Sequence, residues 1–100
     1  MASRQDIKVQ GDQWISINAV IDPNEGVIPV GTGFEIQLKG TYPIVLWESN
    51  TQPLDSFEEG RVLTNLSQPY AITTVLAGSG EIWAKCLKDD SSSEINVQVI

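Results

Sequence analysis

The chain has 100 residues, of which 41% are hydrophobic and 19% are charged. This length suits one compact domain, because domains below about 50 residues seldom hold a core of their own. Thirteen acidic residues against six basic ones give a formal net charge of −7, which repels a phosphate backbone and argues against nucleic acid as a partner. No apolar run approaches the roughly 18 residues that cross a bilayer as a helix, so we expect no membrane partner.

The residues that most often carry catalysis or bind metals are scarce. The sequence has no histidine and one cysteine, and histidine is the commonest acid–base group and metal ligand. Cys86 alternates with Ile82 and Ala84, which predicts a small core residue rather than a nucleophile. We therefore expect no metal, no cofactor, no disulfide and no enzymatic activity. The N-terminal residues lack an apolar segment with a cleavage site, so we also expect no secretion signal.

Alternation of apolar and polar residues is the main structural signal, and it is typical of strands that bury one face. It predicts strands at residues 13–21, 33–39, 44–47, 81–87 and 94–100, with shorter candidates at 7–9, 27–30, 61–66 and 70–76. Turn-forming residues fall between these runs, at 22–26, 31–33, 40–43, 49–53, 77–80 and 89–93. The sequence Gly78-Ser79-Gly80 favours a hairpin between its neighbouring strands. Residues 55–60 favour a single helical turn.

This pattern predicts an all-β fold, a single antiparallel β-sandwich or small barrel of seven to eight short strands. Residues 1–12 are a polar N-terminal lead with a possible first strand, and residues 13–100 form the sandwich domain. The alternation of the run at 13–21 places Ile15, Ile17, Ala19 and Ile21 on its buried face. The predicted core contains Ile36, Leu38, Leu46, Ile82, Ala84, Val97 and Val99.

The tryptophans are the most informative side chains for function. Alternation directs Trp14 and Trp83 away from the core, whereas Trp47 lies in an apolar run and could face either way. Exposed tryptophans on a sheet often mark interfaces or sugar-stacking sites, so Trp14 and Trp83 are candidate interface residues. Two alternatives stay open: a loop or the N-terminal segment covers these side chains, or the register is shifted by one residue, which reverses the faces.

Weaker motifs are more simply interpreted as acidic turns or chance. The carboxylate pairs are Glu48 with Asp55 and Glu58 with Glu59. Two sets of oxygen ligands, Asp22, Asn24 and Gly26, and Asp89, Asp90 and Glu94, have spacings unlike that of a calcium-binding loop. One glycosylation sequon begins at Asn65.

Five short segments, in an order that spans nearly the whole chain, carry a likeness to known proteins. They are WISI at 14–17, GTGFEIQ at 31–37, VLWESNTQP at 45–53, AGSGEIWAK at 77–85 and INVQ at 95–98. Together they resemble small β-sandwich virion structural proteins of tailed bacteriophages, of the capsid decoration or head and collar appendage type. The chain departs from that group at residues 22–26 and at Tyr42-Pro43.

The resemblance implies a non-enzymatic protein with no catalytic residue to carry over. It implies binding to the major capsid protein or another virion protein, in multiple copies or as a symmetric oligomer. The location it implies is the virion, after assembly in the host cytoplasm. The chain is then expected to be a capsid decoration or cement protein.

Two other classes of function remain. The first is a glycan-binding module of a tail or collar fibre, in which Trp14 or Trp83 stacks on a sugar and Asn50, Gln52 or Asp55 bonds its hydroxyls. The second is an enzyme accessory domain or a small enzyme that uses carboxylates. Aromatics bordered by hydrogen-bonding groups would favour the first, and two facing buried carboxylates the second.

Overall fold

The structure of the protein, a computed structural model, describes residues 4–56, 59–64, 72–88 and 90–100. The described residues form eight β-strands and no α-helix: β1 Ile7–Gln10, β2 Ile15–Ser16, β3 Phe34–Leu38, β4 Ile44–Glu48, β5 Arg61–Leu63, β6 Ile72–Val75, β7 Ile82–Cys86 and β8 Ser92–Val99. They make two four-stranded sheets, sheet A in the order β1-β8-β3-β6 and sheet B in the order β2-β7-β4-β5. Every pairing is antiparallel. The predicted antiparallel β-sandwich is confirmed.

The pairings follow a simple rule along the chain. The first strand pairs with the eighth, the second with the seventh, the third with the sixth and the fourth with the fifth. The two halves of the chain therefore run antiparallel to each other and meet at the β4–β5 hairpin. The pairs β1–β8 and β3–β6 lie in sheet A, and the pairs β2–β7 and β4–β5 lie in sheet B. This is the eight-stranded topology called a jelly roll.

The core lies between the two sheets and follows the alternation of the strands. In sheet A, Phe34, Ile36 and Leu38 of β3 face inward beside the paired residues of β8. Successive side chains of a strand point to opposite sides, so every second residue is buried. The buried cluster also contains Val9, Ile17, Ile28, Ile44, Leu46, Leu63, Ile82, Ala84, Cys86, Ile95 and Val97, with Val99 partly buried against it. Cys86 is a buried free thiol, as expected.

The predicted strand at 13–21 is wrong beyond Ser16. The chain turns there, and the amide of Ile17 donates to the carbonyl of Ile82 at 2.8 Å. Buried Asn18 takes over the pairing: its Oδ1 accepts the amide of Ile82 at 2.9 Å, and its Nδ2 donates to the carbonyl of Ile28 at 3.1 Å. An asparagine side chain that satisfies backbone groups competes with a sheet ladder. As a result Ala19 and Ile21, predicted to be buried, are exposed.

The remaining local predictions have different outcomes. Residues 27–30 form no strand. The turn at 77–80 joins no hairpin, because β6 pairs in sheet A and β7 pairs in sheet B; it is a crossover at the end of the sandwich. The helical turn predicted at 55–60 and the strand ends predicted near 65–71 lie partly outside the described residues.

Candidate interaction site

One end of the sandwich gathers the longest connections. Phe34, Val75 and Val99 are paired across sheet A, so β3 begins where β6 and β8 finish. In sheet B, Glu48 pairs with Ile82, so β4 ends where β7 begins. The β2–β3, β4–β5 and β6–β7 connections therefore lie at this same end. It is the place where side chains far apart in sequence come together.

Three exposed apolar side chains lie near two hydrogen bonds at the sheet A side of this end. The amide of Gly78 donates to the carbonyl of Gly31 at 2.8 Å, and the amide of Ile100 donates to the carbonyl of Gly33 at 3.2 Å. Val30, Leu76 and Ile100 flank these bonds and are 56%, 72% and 73% exposed. We call Val30, Leu76 and Ile100 the apolar corner. Residues 27–34, 72–80 and 95–100, which supply it, contain no charged side chain.

The broad outer face of sheet A has the opposite character. The outward residues of β1, β3 and β8 are polar or charged, because the inward positions of these strands hold the apolar ones, and Ile72 of β6 is an outward apolar residue beside Gln37. Glu35, Gln37, Glu94, Asn96 and Gln98 are its central members. Exposed apolar side chains are therefore few on this face, whereas Val30, Leu76 and Ile100 lie at its corner and others, among them Ile21 and Leu54, lie elsewhere on the described surface.

The outer face of sheet B is covered where Trp14 and Val45 lie, which corrects the prediction for Trp14. Trp14 is only 2% exposed, and Val45 is fully buried, yet neither belongs to the core between the sheets. The β4–β5 connection crosses this face: Gln52 Nε2 donates to the carbonyl of Trp14 at 3.2 Å. The alternative that a loop covers Trp14 is thus correct. Trp14 is not available as a surface interface or sugar-stacking residue.

Trp83 points outward as predicted but is half-buried. Its Nε1 donates to the carbonyl of Ser49 at 3.0 Å, so the same connection also holds this ring. Its partner across the strand pair is Trp47, and paired residues share one face of a sheet. Trp47, which the sequence left unassigned, therefore lies on the outer face and retains 36% exposure.

The remaining candidates for glycan contacts, Asn50, Gln52 and Asp55, differ in their interactions. Asn50, Gln52 and Asp55 are all exposed on the β4–β5 connection, but the Gln52 amide is used to anchor that connection to Trp14. Glu48 Oε2 accepts the amide of Gly80 at 2.6 Å, which gives this carboxylate a structural role in joining two connections. The structure does not bring these groups together around Trp14 or Trp83.

A groove that sequence reasoning did not anticipate lies between the sheets on the β5 and β6 side. Its volume is about 330 Å³, and its lining includes Leu46, Trp47, Glu48, Arg61 and Thr73. Arg61 Nη1 donates to Thr73 Oγ1 at 3.3 Å, which links the edge strands of the two sheets. The groove mixes apolar, hydroxyl and charged groups. No sequence signal indicated it, because it depends on the pairing of distant strands.

The turn at 22–26, weighed above as a chance set of oxygen ligands, is an anchor for the N-terminal lead. Asp22 accepts the amide of Gln5 at 2.7 Å and the amides of Asn24 and Glu25, each at 2.9 Å. The bond from Gln5 above all, with those from Asn24 and Glu25, lowers the pKa of Asp22, and burial opposes this. Arg4 donates to the carbonyl of Gly26. The carboxylate is thus occupied by backbone amides.

Asp6 fixes the other side of this lead. It forms an ion pair with Lys39 at 2.8 Å and accepts Nδ2 of Asn96 at 3.0 Å. The bond from Lys39, followed by that from Asn96, lowers the pKa of Asp6. Across the described residues, no three His, Cys, Asp or Glu side chains are grouped so that they could hold a metal ion. Nor does that part of the chain contain a helix long and apolar enough to cross a membrane.

Comparisons of the chain with protein-family models, with curated proteins and with solved structures found no match. The described residues form an eight-stranded jelly roll in which part of sheet B is covered, the outer face of sheet A is largely polar and Val30, Leu76 and Ile100 are exposed at one corner.

Proposed function

We propose that the chain is a non-enzymatic structural subunit of a tailed-bacteriophage virion, a decoration protein that attaches in many copies to the outside of the capsid. The observation that carries the proposal is the apolar corner, where Val30, Leu76 and Ile100 are exposed within segments that hold no charge. Exposed apolar side chains grouped on a small domain commonly mark a protein contact. The resemblance of five segments to virion structural proteins gives that contact its partner.

The physics of the corner suits attachment to a repeated surface. A corner with three large apolar side chains gives a small contact, and such a contact alone is weak. On a symmetric shell, however, contacts between neighbouring copies act together and raise the effective concentration at each site. The polar outer face of sheet A would then remain toward solvent, where its acidic residues Glu35 and Glu94 keep the particle soluble.

Co-sedimentation with capsid shells that lack the protein tests the proposal. Purified chain is mixed at rising concentration with such shells, and the bound copies are counted after pelleting. We expect saturation at a copy number fixed by the symmetry of the shell. Absence from the pellet at every concentration, with the chain folded, would overturn the proposal.

A second candidate function is glycan binding on a tail or collar fibre, and the groove beside Trp47 favours it. The groove lies at the small end of the range for ligand sites, about 300–1,000 Å³. Arg61, Thr73 and Glu48, which line the groove, offer groups that bond hydroxyls. Retention on host polysaccharide that Arg61→Ala abolishes, without binding to shells, would favour this function over the first.

A further inference from the structure

Among the described residues, β6 is an edge strand of sheet A. β3 is the only strand among the described residues that pairs with β6. Because a strand's amides and carbonyls point alternately to its two sides, half of those in β6 point toward β3 and half toward the opposite side. An edge of this kind is a template for pairing with another chain unless something blocks it.

The other three edges of the sandwich carry the usual protections, and β6 does not. β1 carries Lys8, and β5 carries Arg61 and has only three residues. β2 has only two residues. β6 has four residues, Ile72-Thr73-Thr74-Val75, with neither a charge nor a proline. Charged residues, proline and shortness are the common devices that prevent edge pairing. Their absence from β6 leaves it open to addition of a strand.

The side chains of β6 make it complementary to a copy of itself. The inward residues are Thr73 and Val75, opposite Ile36 and Phe34, and Ile72 and Thr74 point outward. An antiparallel pair centred on Thr74 would place Thr74 opposite Thr74 of the second copy. The same register would form two symmetric pairs, in each of which Ile72 of one copy lies opposite Leu76 of the other. These residues are 56% and 72% exposed in the single chain, and such pairing would cover both.

We propose that two copies of the chain join through β6 in antiparallel register, which extends sheet A into a continuous eight-stranded sheet across a two-fold axis. The occupant is a second copy because β6 is complementary to itself in this register. Residues 72–80 carry no charged side chain, so the paired strands of two chains of net charge −7 would not place like charges opposite each other. Threonine pairs and apolar cross-strand pairs are both favourable. This inference does not depend on the proposed virion function.

The mass of the purified chain, measured against concentration by analytical ultracentrifugation, tests the dimer without any capsid. We expect the wild type to approach twice the 10.9 kDa of one chain. Thr74→Glu and Thr74→Lys each place like charges opposite one another at the axis, and each should raise the dissociation constant of the dimer at least about tenfold. An equimolar mixture of the two variants should restore association, because the charges at the axis are then opposite.

Thr41→Glu and Thr41→Lys are the matched controls, because Thr41 is exposed on the β3–β4 connection. They should dimerise as the wild type does. Urea unfolding of each variant verifies that the fold is kept, and the lysine variant gives a second test where the glutamate variant does not fold. A wild type that stays monomeric, Thr74 variants that still dimerise, or a mixture that stays monomeric would each overturn the proposal. These measurements are made without shells; Leu76 is common to this pairing and to the apolar corner, and in the dimer Val30 and Ile100 remain for a shell contact.

Discussion

The side-chain amide of Gln52 donates a hydrogen bond to the backbone carbonyl of Trp14 at 3.2 Å, across 38 positions of sequence. Together with the bond from Trp83 Nε1 to the carbonyl of Ser49, it holds the β4–β5 connection against the outer face of sheet B. Besides the core between the sheets, the domain therefore has a second buried region beneath this connection, which includes Trp14, Val45 and Lys85.

Removing the Trp14 ring should destabilise the domain strongly. Trp14→Ala deletes a side chain that is 2% exposed, and such truncations cost about 3–5 kcal/mol of unfolding free energy. Gln52→Ala removes one neutral hydrogen bond and should cost about 0.5–1.5 kcal/mol. Urea titrations give both values. Gln13→Ala, at an exposed neighbour, is the control and should match the wild type; a wild-type midpoint for Trp14→Ala would show that the second buried region does not exist.

Gly60 should be far less tolerant of alanine than Gly26. Both have positive φ, 131° and 71°, where a Cβ is strained. A Cβ on Gly60 would also lie 2.2 Å from the carbonyl oxygen of Leu46, whereas one on Gly26 meets nothing within 4 Å. Gly26→Ala should cost about 1–2 kcal/mol, and Gly60→Ala clearly more. Equal losses in urea unfolding would mean that the β4–β5 connection does not approach Leu46 closely.

Asp22 should make the stability of the domain fall in acid. Its backbone hydrogen bonds, that from Gln5 first, hold its pKa below the ordinary value of 3.8. The folded state thus favours the carboxylate, so this contribution is complete above pH 3.8 and is lost as the pH falls through the lowered pKa. The difference in unfolding free energy between Asp22→Asn and the wild type should be greatest near neutral pH and should shrink as the pH falls below 3.8. A difference that stays constant down to strong acid would contradict this role.

The fold class was predictable because local alternation determined it. In β3 and β8 the alternation of apolar and polar residues is regular, and the structure places both strands as expected. The partners of the strands were not predictable, since β1 pairs with β8 and β3 with β6 and no local pattern specifies such distant pairs. The hairpin expected at Gly78-Ser79-Gly80 shows this limit: its turn chemistry is suitable, but its two strands belong to different sheets.

The interaction surface was less predictable than the fold for the same reason. The alternation of side chains along the strands predicted that Trp14 and Trp83 point away from the core. It could not show that the β4–β5 connection, which carries Gln52, packs over the same face of the sheet. The apolar corner brings Val30, Leu76 and Ile100 together through hydrogen bonds between separate connections. In the sequence alone, each appears as an ordinary apolar residue beside a turn.

The central claim, that the apolar corner attaches the domain to a repeated virion surface, is tested most directly by one pair of variants in the shell co-sedimentation assay. Val30→Asp puts a charge on the corner, and Val62→Asp puts the same charge on a comparably exposed valine of β5, away from it; the two valines are 56% and 51% exposed. We expect Val62→Asp to saturate the shells at the wild-type copy number and Val30→Asp to bind at least about tenfold more weakly, because a charge buried without a partner opposes the contact. Undiminished binding of folded Val30→Asp would contradict the claim.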